Sequence, residues 1–407
     1  MIRAIFKKEN LYIRIAIAFA AGILLGFLAP QFSIDIRVVG DIYLNLIKMM
    51  IIPVLICAVM TGIMNAADPA SLRRIGLKTV ILYIAMFLAS FAVSFAVALA
   101  VRPGLRTSFG SRPEYTGKIG GPIDFSEVLR EVFPDNIFEA FAANNILPVI
   151  IFSMLLAIAV VSIGERGKPV KDFMNSLSEA VFKMLSYIME TSPLGVMSLV
   201  AFSVAEYGSG MFMAIGKYVL CCWLACIAVF IIVFMIPVVT YAGTDIRKFL
   251  RACGRIALMT MSTTSSSATL PTTIKVSTED LGAPESISSF TLPLGCTINM
   301  CGGACSFCCL ALFVSDFYGL ELSFGRIIAM AIAATVINMA APGIPGGGIV
   351  LMTSFLTMFS LPVDLLGPVA AVYRLLDMAF TTINVEGDVA ANLIIAKSEE
   401  KVLKLQS

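Results

Sequence analysis

The sequence predicts an all-α polytopic membrane protein with eight transmembrane helices and two re-entrant helical hairpins. Hydrophobic residues make up 58% of the 407 residues and charged residues 14%, and the mean hydropathy is +0.92, far above what the core of a soluble domain requires. Apolar runs of about 20 residues, the length that crosses a bilayer, recur along the chain. Two further apolar runs are interrupted by hydroxyl, glycine and proline residues.

Eight uninterrupted apolar segments are long enough to span a bilayer. The first has no small-residue cleavage site and is followed by further spans, so we expect a retained helix and not a signal peptide. The segments are 11 to 31, 42 to 65, 77 to 101, 136 to 163, 177 to 205, 212 to 241, 287 to 315 and 363 to 393.

Basic residues predict the orientation of these spans. Five groups of Lys and Arg lie at alternate ends, which places both termini in the cytoplasm. Residues 102 to 123 carry four basic residues on the opposite side, Arg102, Arg106, Arg112 and Lys118, and we interpret this segment as an external loop because the other five groups outnumber it. The groups are Arg3, Lys7 and Lys8; Arg73, Arg74 and Lys78; Arg166, Lys168 and Lys171; Arg247, Lys248, Arg251 and Arg255; and Lys397, Lys401 and Lys404.

The two interrupted segments, 250 to 278 and 325 to 360, predict hairpins that enter the membrane and return. Their interruptions are a hydroxyl run at 262 to 271 and a Gly- and Pro-rich run at 341 to 348. Unwound backbone at membrane depth is tolerated only where it is buried in protein or lines a cavity. Paired half-helices of this kind bind substrates and cations in transporters. Close helix packing through small residues is the alternative interpretation of either run alone.

The last apolar segment carries polar side chains on one face, with Glu386 on the opposite side. Ionisable groups inside a membrane are costly and indicate a functional site by default. We therefore expect this face to bind a polar ligand at membrane depth. For Asp377 the alternative role is an ion pair with Arg374, one turn away. The face consists of Tyr373, Asp377, Phe380, Thr381, Asn384 and Asp388.

The composition also excludes several functions. A net charge of +2 offers no basic surface for nucleic acid, and the absence of histidine removes the commonest proton carrier and metal ligand. All ten cysteines lie in or beside apolar runs, so we expect no disulfide framework. Cys301, Cys305 and Cys308 share a helical face, which leaves a soft-metal site as an alternative to apolar packing.

Four motifs, in this order, resemble the dicarboxylate/amino acid:cation symporters, the glutamate and neutral amino acid transporter family. They are residues 265 to 271 in the first hairpin, 291 to 300 in the seventh helix, 343 to 348 in the second hairpin and 377 to 388 in the eighth helix. The resemblance covers essentially the whole chain. It implies an elevator-type transporter, not an enzyme, that forms a homotrimer in the lipid bilayer.

The resemblance also implies a division of the chain into a scaffold and a transport domain that moves across the membrane. Scaffold helices 1 and 2 are assigned to 1–70, transport helix 3 to 71–101, the external loop to 102–135, scaffold helices 4 and 5 to 136–205, the remaining transport domain to 206–397 and a cytoplasmic tail to 398–407.

By the same resemblance, Asp377 accepts the α-ammonium group of an amino acid, and Asn384 and Ser266 bind its α-carboxylate. Two positions depart from the pattern of acidic-substrate transporters. Phe380 replaces an arginine that grips a side-chain carboxylate, and Gly303 replaces a threonine. These changes predict a neutral substrate with an apolar or mixed side chain. The other predicted substrate-binding residues are Thr264, Ser265, Ile344, Gly348 and Thr381.

The resemblance implies two sodium sites and a degraded third, and therefore coupling to two sodium ions or fewer. Losing a buried carboxylate at Cys301 removes the charge that a third cation would neutralise. The first site, of hard oxygen ligands, consists of Gly295, Asn299, Asn384 and Asp388. The second consists of Thr297, Met300, Asn338, Met339 and Ala341. The degraded third consists of Tyr83, Met86, Phe87 and Cys301, with Asn299.

The sequence therefore predicts a sodium-driven symporter that imports a neutral amino acid across a prokaryotic cytoplasmic membrane, with no cofactor besides the coupling ions. A proton-coupled or sodium-independent transporter of an amino acid or related zwitterion is the closest alternative. Where some relatives carry a glutamate this chain has Cys308, which leaves Glu386 or Asp388 as proton carriers. A thiol-based redox protein using Cys301, Cys305, Cys308 and Cys309 is an alternative of another class. A passive channel is disfavoured because two hairpins imply gating.

Overall fold

The computed structural model describes residues 11–65, 73–105, 134–143, 146–207, 210–339 and 347–406. Within these ranges the chain forms helices joined by short turns, with no strand. The predicted all-α fold is confirmed for this part of the chain. Most of the predicted external loop lies outside the described residues.

The first half of the chain forms nine α-helices in the described ranges. They are α1 (Leu11–Leu28), α2 (Pro30–Asp35), α3 (Arg37–Met49), α4 (Ile51–Asn65), α5 (Arg73–Val101), α6 (Ile137–Ala142), α7 (Ile146–Ser162), α8 (Lys168–Glu190) and α9 (Ser192–Tyr207). A short 3-10 turn, Gly164–Gly167, joins α7 to α8.

The second half forms the helices that surround the polar segments. They are α10 (Gly210–Val229), α11 (Ile236–Thr240), α12 (Ile246–Thr263), α13 (Ser266–Lys275), α14 (Glu285–Ile298), α15 (Cys301–Tyr318), α16 (Phe324–Met339), α17 (Gly347–Met358) and α18 (Leu366–Gln406). Two π-helical stretches, Phe230–Met235 and Val276–Asp280, follow α10 and α13.

Each of the eight predicted spans has a helical counterpart. The bent pair Gly164–Glu190 and Ser192–Glu206 is long and apolar enough to form one span when taken together. Ile17–Leu28 and Pro148–Ser162 are shorter apolar helices. The described stretches that are individually long and apolar enough to cross a membrane are Pro30–Thr61, Ile75–Val101, Met213–Thr240, Glu285–Tyr318 and Leu366–Glu400.

The predicted span at 177 to 205 is bent, since the chain changes direction by 48° between α8 and α9. Pro193 is the second residue of α9, where its ring is incompatible with a carbonyl four residues earlier in a continuous helix. The hydroxyls of Thr191 and Ser192 donate to the carbonyls of Ile188 and Met189 at 2.7 and 2.6 Å. These bonds satisfy carbonyl groups at the end of α8.

Each predicted hairpin contains two helices in the structure. In the first, α12 ends at Thr264, which has a left-handed φ of 47°, and the Ser265 hydroxyl accepts from the backbone N–H of Ala268 to cap α13. In the second, α16 and α17 flank residues 340–346, which lie outside the described ranges. A third break, between α14 and α15 at Asn299 and Met300, was not predicted.

Close packing connects helices from both halves of the chain. Gly22 and Gly26 let α1 approach α9, since a Cβ atom there would lie 2.6 Å from the Met197 carbonyl oxygen and 2.5 Å from the Val204 Cβ atom. Elsewhere, α15 and α18 pack against each other and against α5 and α10, and α18 also contacts α9. An ion pair of 3.2 Å links Arg37 on α3 to Asp364 just before α18. The division into moving and fixed domains stays a prediction.

The last helix extends beyond the predicted end of the transport domain at residue 397. Glu399 on α18 is buried and pairs with Lys78 on α5 at 2.5 Å. The first residues assigned to a cytoplasmic tail are therefore part of the packed helix.

Candidate functional site

The interrupted helices meet around one pocket beside the middle of α18. Its empty volume, including the solvent space at its mouth, is about 540 Å³. All predicted substrate-binding residues line it except Ser265, which caps α13, and Ile344, which lies outside the described residues. The described lining residues are Thr264, Ser266, Met300, Gly303, Ser306, Phe307, Asn338, Gly348, Leu351, Tyr373, Asp377, Phe380, Thr381 and Asn384.

Three helices begin at this pocket. Ser266 is the first residue of α13, Gly303 the third of α15 and Gly348 the second of α17. The first backbone N–H groups of a helix have no partner within it, and this end of the helix carries positive partial charge. The pocket therefore offers donors and favourable potential to an anionic group.

Asp377 is the one charged side chain among the described lining residues. It lies on α18, half-buried, and its Oδ1 atom accepts a hydrogen bond from the Thr381 hydroxyl at 3.3 Å. Tyr373, one turn earlier, also interacts with this carboxylate. The lining thus combines a single carboxylate with neutral polar groups.

Asn384 is held by the break between α14 and α15. Its Oδ1 atom accepts from the backbone N–H of Gly302 at 2.7 Å, and its Nδ2 atom donates to the Met300 sulfur at 3.2 Å. A thioether sulfur is a weak acceptor, and the second N–H of the amide is available for another partner. The side chain is therefore oriented by protein contacts before any ligand binds.

The tip of the first hairpin is fixed to α18. Arg374 donates a hydrogen bond to the hydroxyl of Thr264, the residue with the left-handed backbone. A β-branched residue rarely adopts this conformation, and such exceptions concentrate at functional sites. The contact brings a guanidinium group next to a lining residue of the pocket.

Gly348 makes the closest approach between α17 and α18. A Cβ atom at this position would lie 1.8 Å from the Tyr373 hydroxyl oxygen. Only glycine fits here while Tyr373 keeps its place, so this contact positions the second hairpin against the polar face of α18.

A second polar centre lies around Asp388. Its Oδ1 atom accepts from Asn299 Nδ2 at 3.0 Å, whereas its Oδ2 atom is buried with no hydrogen-bond partner among the described residues. A Cβ atom on Gly295 would lie 2.4 Å from Asp388 Oδ1 and 2.7 Å from the Tyr83 hydroxyl. A buried carboxylate oxygen without a partner is costly, so the donor set fits a small hard cation.

The structure describes only some of the other predicted cation ligands. The Thr297 hydroxyl donates to the Leu294 carbonyl at 3.0 Å, Met339 ends α16 with its side chain undescribed, and Ala341 lies outside the described residues. From the degraded third site, Tyr83 lies beside Asp388 and donates to the Thr291 carbonyl at 2.8 Å. Met86 and Phe87 are buried core residues, and Cys301 donates to Asn299 Oδ1 at 3.2 Å.

The chain matches the sodium:dicarboxylate symporter family over residues 11–398. The chain belongs to this family. It is therefore a multi-pass integral membrane transporter that carries a small molecule, and not an enzyme. The family implies coupling to sodium or protons.

Relatives of the chain differ in their substrates. It is 29% identical to a proton/sodium-glutamate symport protein of Bacillus subtilis, covering 96% of this chain and 93% of the relative. It is 28% identical to a C4-dicarboxylate transport protein of Rhizobium johnstonii, covering 97% and 90%. It is 30% identical to the neutral amino acid transporter B(0) of Oryctolagus cuniculus, covering 95% and 80%. The substrate must therefore be argued from the pocket itself.

Five lining residues, Met300, Ser306, Phe307, Asn338 and Leu351, were not predicted as substrate ligands. Ser306 and Phe307 lie three and four residues after Gly303, and Leu351 lies three after Gly348, so helical spacing would have found them. Met300 and Asn338 were predicted as cation ligands, and both also line the pocket.

The cysteines are packed side chains in this family member. All ten are buried and unbridged, and the sulfur atoms of Cys221 and Cys309 lie 3.8 Å apart. Among the described residues no three Cys, Asp or Glu side chains form a group that could hold a metal ion. The described residues therefore offer no group of ligands for the soft-metal site that was considered as an alternative.

Proposed function

We propose that the chain is a secondary active symporter that imports a neutral amino acid together with sodium. The observation that carries the proposal is the charge of the pocket, where Asp377 is the one charged residue of the described lining. A half-buried carboxylate favours a ligand with an ammonium group, and a dicarboxylate without one would be repelled. A second carboxylate on an amino acid would meet Phe380 and no lining cation.

The α-carboxylate of an amino acid has donors without a cationic side chain. The first N–H groups of α13 and α17, the Ser266 hydroxyl and the second N–H of Asn384 can share its charge. Asp377, with Thr381 beside it, binds the ammonium group. Opposite charges of the zwitterion are thus matched by opposite ends of the pocket.

Sodium is the coupling ion in this proposal because Asp388 supplies a buried carboxylate oxygen without a described partner. Gly295, Asn299 and Asn384 complete the first site, and a second site includes Thr297, Met300 and residues of the second hairpin. The cation neutralises a charge that is otherwise costly to bury. Transport of one substrate molecule is coupled to two sodium ions or fewer. The protein forms a homotrimer with cytoplasmic termini, and each transport domain moves across the membrane as an elevator.

An acidic substrate is the second candidate, favoured by the contact of Arg374 with Thr264 at the pocket. If the guanidinium group turned from this hydroxyl to a ligand, it would supply a cation for a side-chain carboxylate. Proton coupling is the alternative to sodium.

Phe380→Arg is expected to shift selectivity toward aspartate and glutamate. The wild-type protein should bind neutral amino acids at least about tenfold tighter than acidic ones, a gap of roughly 1.4 kcal/mol. The arginine places a bidentate donor in the pocket and should reduce that ratio by about tenfold or more. Competition assays with a labelled neutral amino acid measure the ratio in both proteins.

Phe380→Leu is the matched control and should keep the preference for neutral substrates, because it changes the volume without adding charge. Tight aspartate binding by the wild-type protein would contradict the neutral-substrate proposal and point to Arg374 as the cation.

Gly348→Ala is expected to abolish most substrate binding, because the new methyl group would collide with the Tyr373 hydroxyl. Adding Tyr373→Phe removes the oxygen that lies 1.8 Å from the Cβ position and should recover part of the binding. Gly325→Ala on α16 of the same hairpin meets no atom within 4 Å and serves as the control. Normal binding by Gly348→Ala alone would show that this approach is not required.

A further inference from the structure

Asn338 occupies the place in the pocket that a side chain at position 303 would fill. A Cβ atom on Gly303 would lie 2.1 Å from Asn338 Oδ1 and 2.6 Å from its Cγ atom. Asn338 is 2% exposed and lines the pocket near the end of α16. The absence of a side chain at 303 therefore makes room for a carboxamide contributed by the second hairpin.

The protein fixes the orientation of this carboxamide. Asn338 Nδ2 donates to the backbone carbonyl of Met300, which also accepts from the N–H of Gly303 at 2.8 Å. A flipped amide would set its oxygen against that carbonyl, so the nitrogen must face Met300. The bond to Met300 uses Nδ2, so Oδ1 is the atom of this carboxamide that can accept a hydrogen bond from a ligand in the pocket.

We propose that Asn338 selects the substrate side chain, by accepting a hydrogen bond from the hydroxyl or primary amide of a neutral polar amino acid. The inference rests on the proposed function and narrows its substrate class. A carboxylate has no hydrogen to donate and would face the lone pairs of Oδ1. An apolar side chain of the same shape could not donate this hydrogen bond, and a site that hydrogen-bonds a substrate hydroxyl or amide binds the analogue without that group more weakly.

Two pairs of amino acids with matched shapes test this proposal: threonine with valine, and asparagine with leucine. Binding of each to the full chain is measured by competition in sodium, for wild type, Asn338→Ala and Asn338→Leu. We expect wild type to bind the polar member of at least one pair about tenfold tighter, and both variants to reduce that ratio to about threefold or less. Continued binding of the apolar member shows that the variants are folded.

Thr335→Ala is the matched control, because it removes a buried hydroxyl from the same helix. That hydroxyl donates to the Ala331 carbonyl and does not line the pocket, so the ratio should not change. The inference would be overturned if wild type bound the polar and apolar members of both pairs equally well. It would also be overturned if both Asn338 variants kept the wild-type preference for the polar member. If wild type binds no amino acid at all, the proposed function itself fails.

The shared space gives an independent test. Gly303→Thr should weaken binding of all four amino acids at least about tenfold, and adding Asn338→Ala should restore binding to near that of Asn338→Ala alone. Unchanged binding by Gly303→Thr in the presence of Asn338 would show that the carboxamide does not occupy this part of the pocket.

Discussion

Asp377→Ala is expected to weaken amino-acid binding by about 3 kcal/mol, more than a hundredfold in affinity. The carboxylate is the one charged group of the described pocket lining, so its loss leaves a bound ammonium group without a counter-charge. Direct binding to detergent-purified protein in sodium, measured by calorimetry or with a radiolabelled amino acid, gives the difference.

Asp364→Ala is the control for this change, because it removes an equal charge from a position that pairs with Arg37 outside the pocket. It should leave the affinity within about twofold, as expected of an exposed ion pair. Normal amino-acid transport by a folded Asp377→Ala protein would make Asp377 a structural partner of Arg374. Tighter binding of a C4-dicarboxylate by Asp377→Ala, with no amino-acid binding by wild type, would assign the substrate to that class.

Asp388→Asn is expected to remove most of the sodium dependence of substrate binding. The substitution keeps the shape of the side chain but deletes the charge that makes a buried cation favourable. In wild type, the apparent substrate affinity should rise with at most the second power of the sodium concentration. In the variant, this exponent should be lower by about one. Titrating substrate at several sodium concentrations, with choline as the replacement ion, measures both.

Glu386→Gln provides the comparison for Asp388→Asn. Glu386 is a second buried carboxyl group on α18 but lies on the opposite side of the helix from the predicted binding face. Its replacement should preserve the sodium order. If wild type binds substrate equally well in sodium-free choline, substrate binding does not depend on sodium and the proposed coupling is contradicted.

The polar face of α18 was predictable because helical periodicity places Asp377, Thr381 and Asn384 together without reference to the rest of the fold. The first hairpin was predictable for a similar local reason, since its hydroxyl run is incompatible with a continuous apolar helix. Both predictions depend on residues that are close in sequence.

The break at Asn299 and Met300 was not predictable in this way. Neither residue is Gly or Pro, and the unwound backbone is supported by distant side chains: Asn299 donates to Asp388, and the Met300 carbonyl accepts from Asn338. The placement of Asn338 over Gly303 likewise joins positions 35 residues apart, as their numbers show. The bend at Pro193 was missed because hydropathy averaged over a window does not register a single proline.

The most direct test of the proposed function is uptake into liposomes that contain the purified protein, using a panel of labelled amino acids and dicarboxylates. Each compound is offered with an inward sodium gradient, in choline, and in choline with an imposed proton gradient. We expect accumulation of one or more neutral amino acids with the sodium gradient alone. Accumulation of glutamate, aspartate or a dicarboxylate in preference to neutral amino acids, or uptake driven equally well by protons in choline, would contradict the proposal.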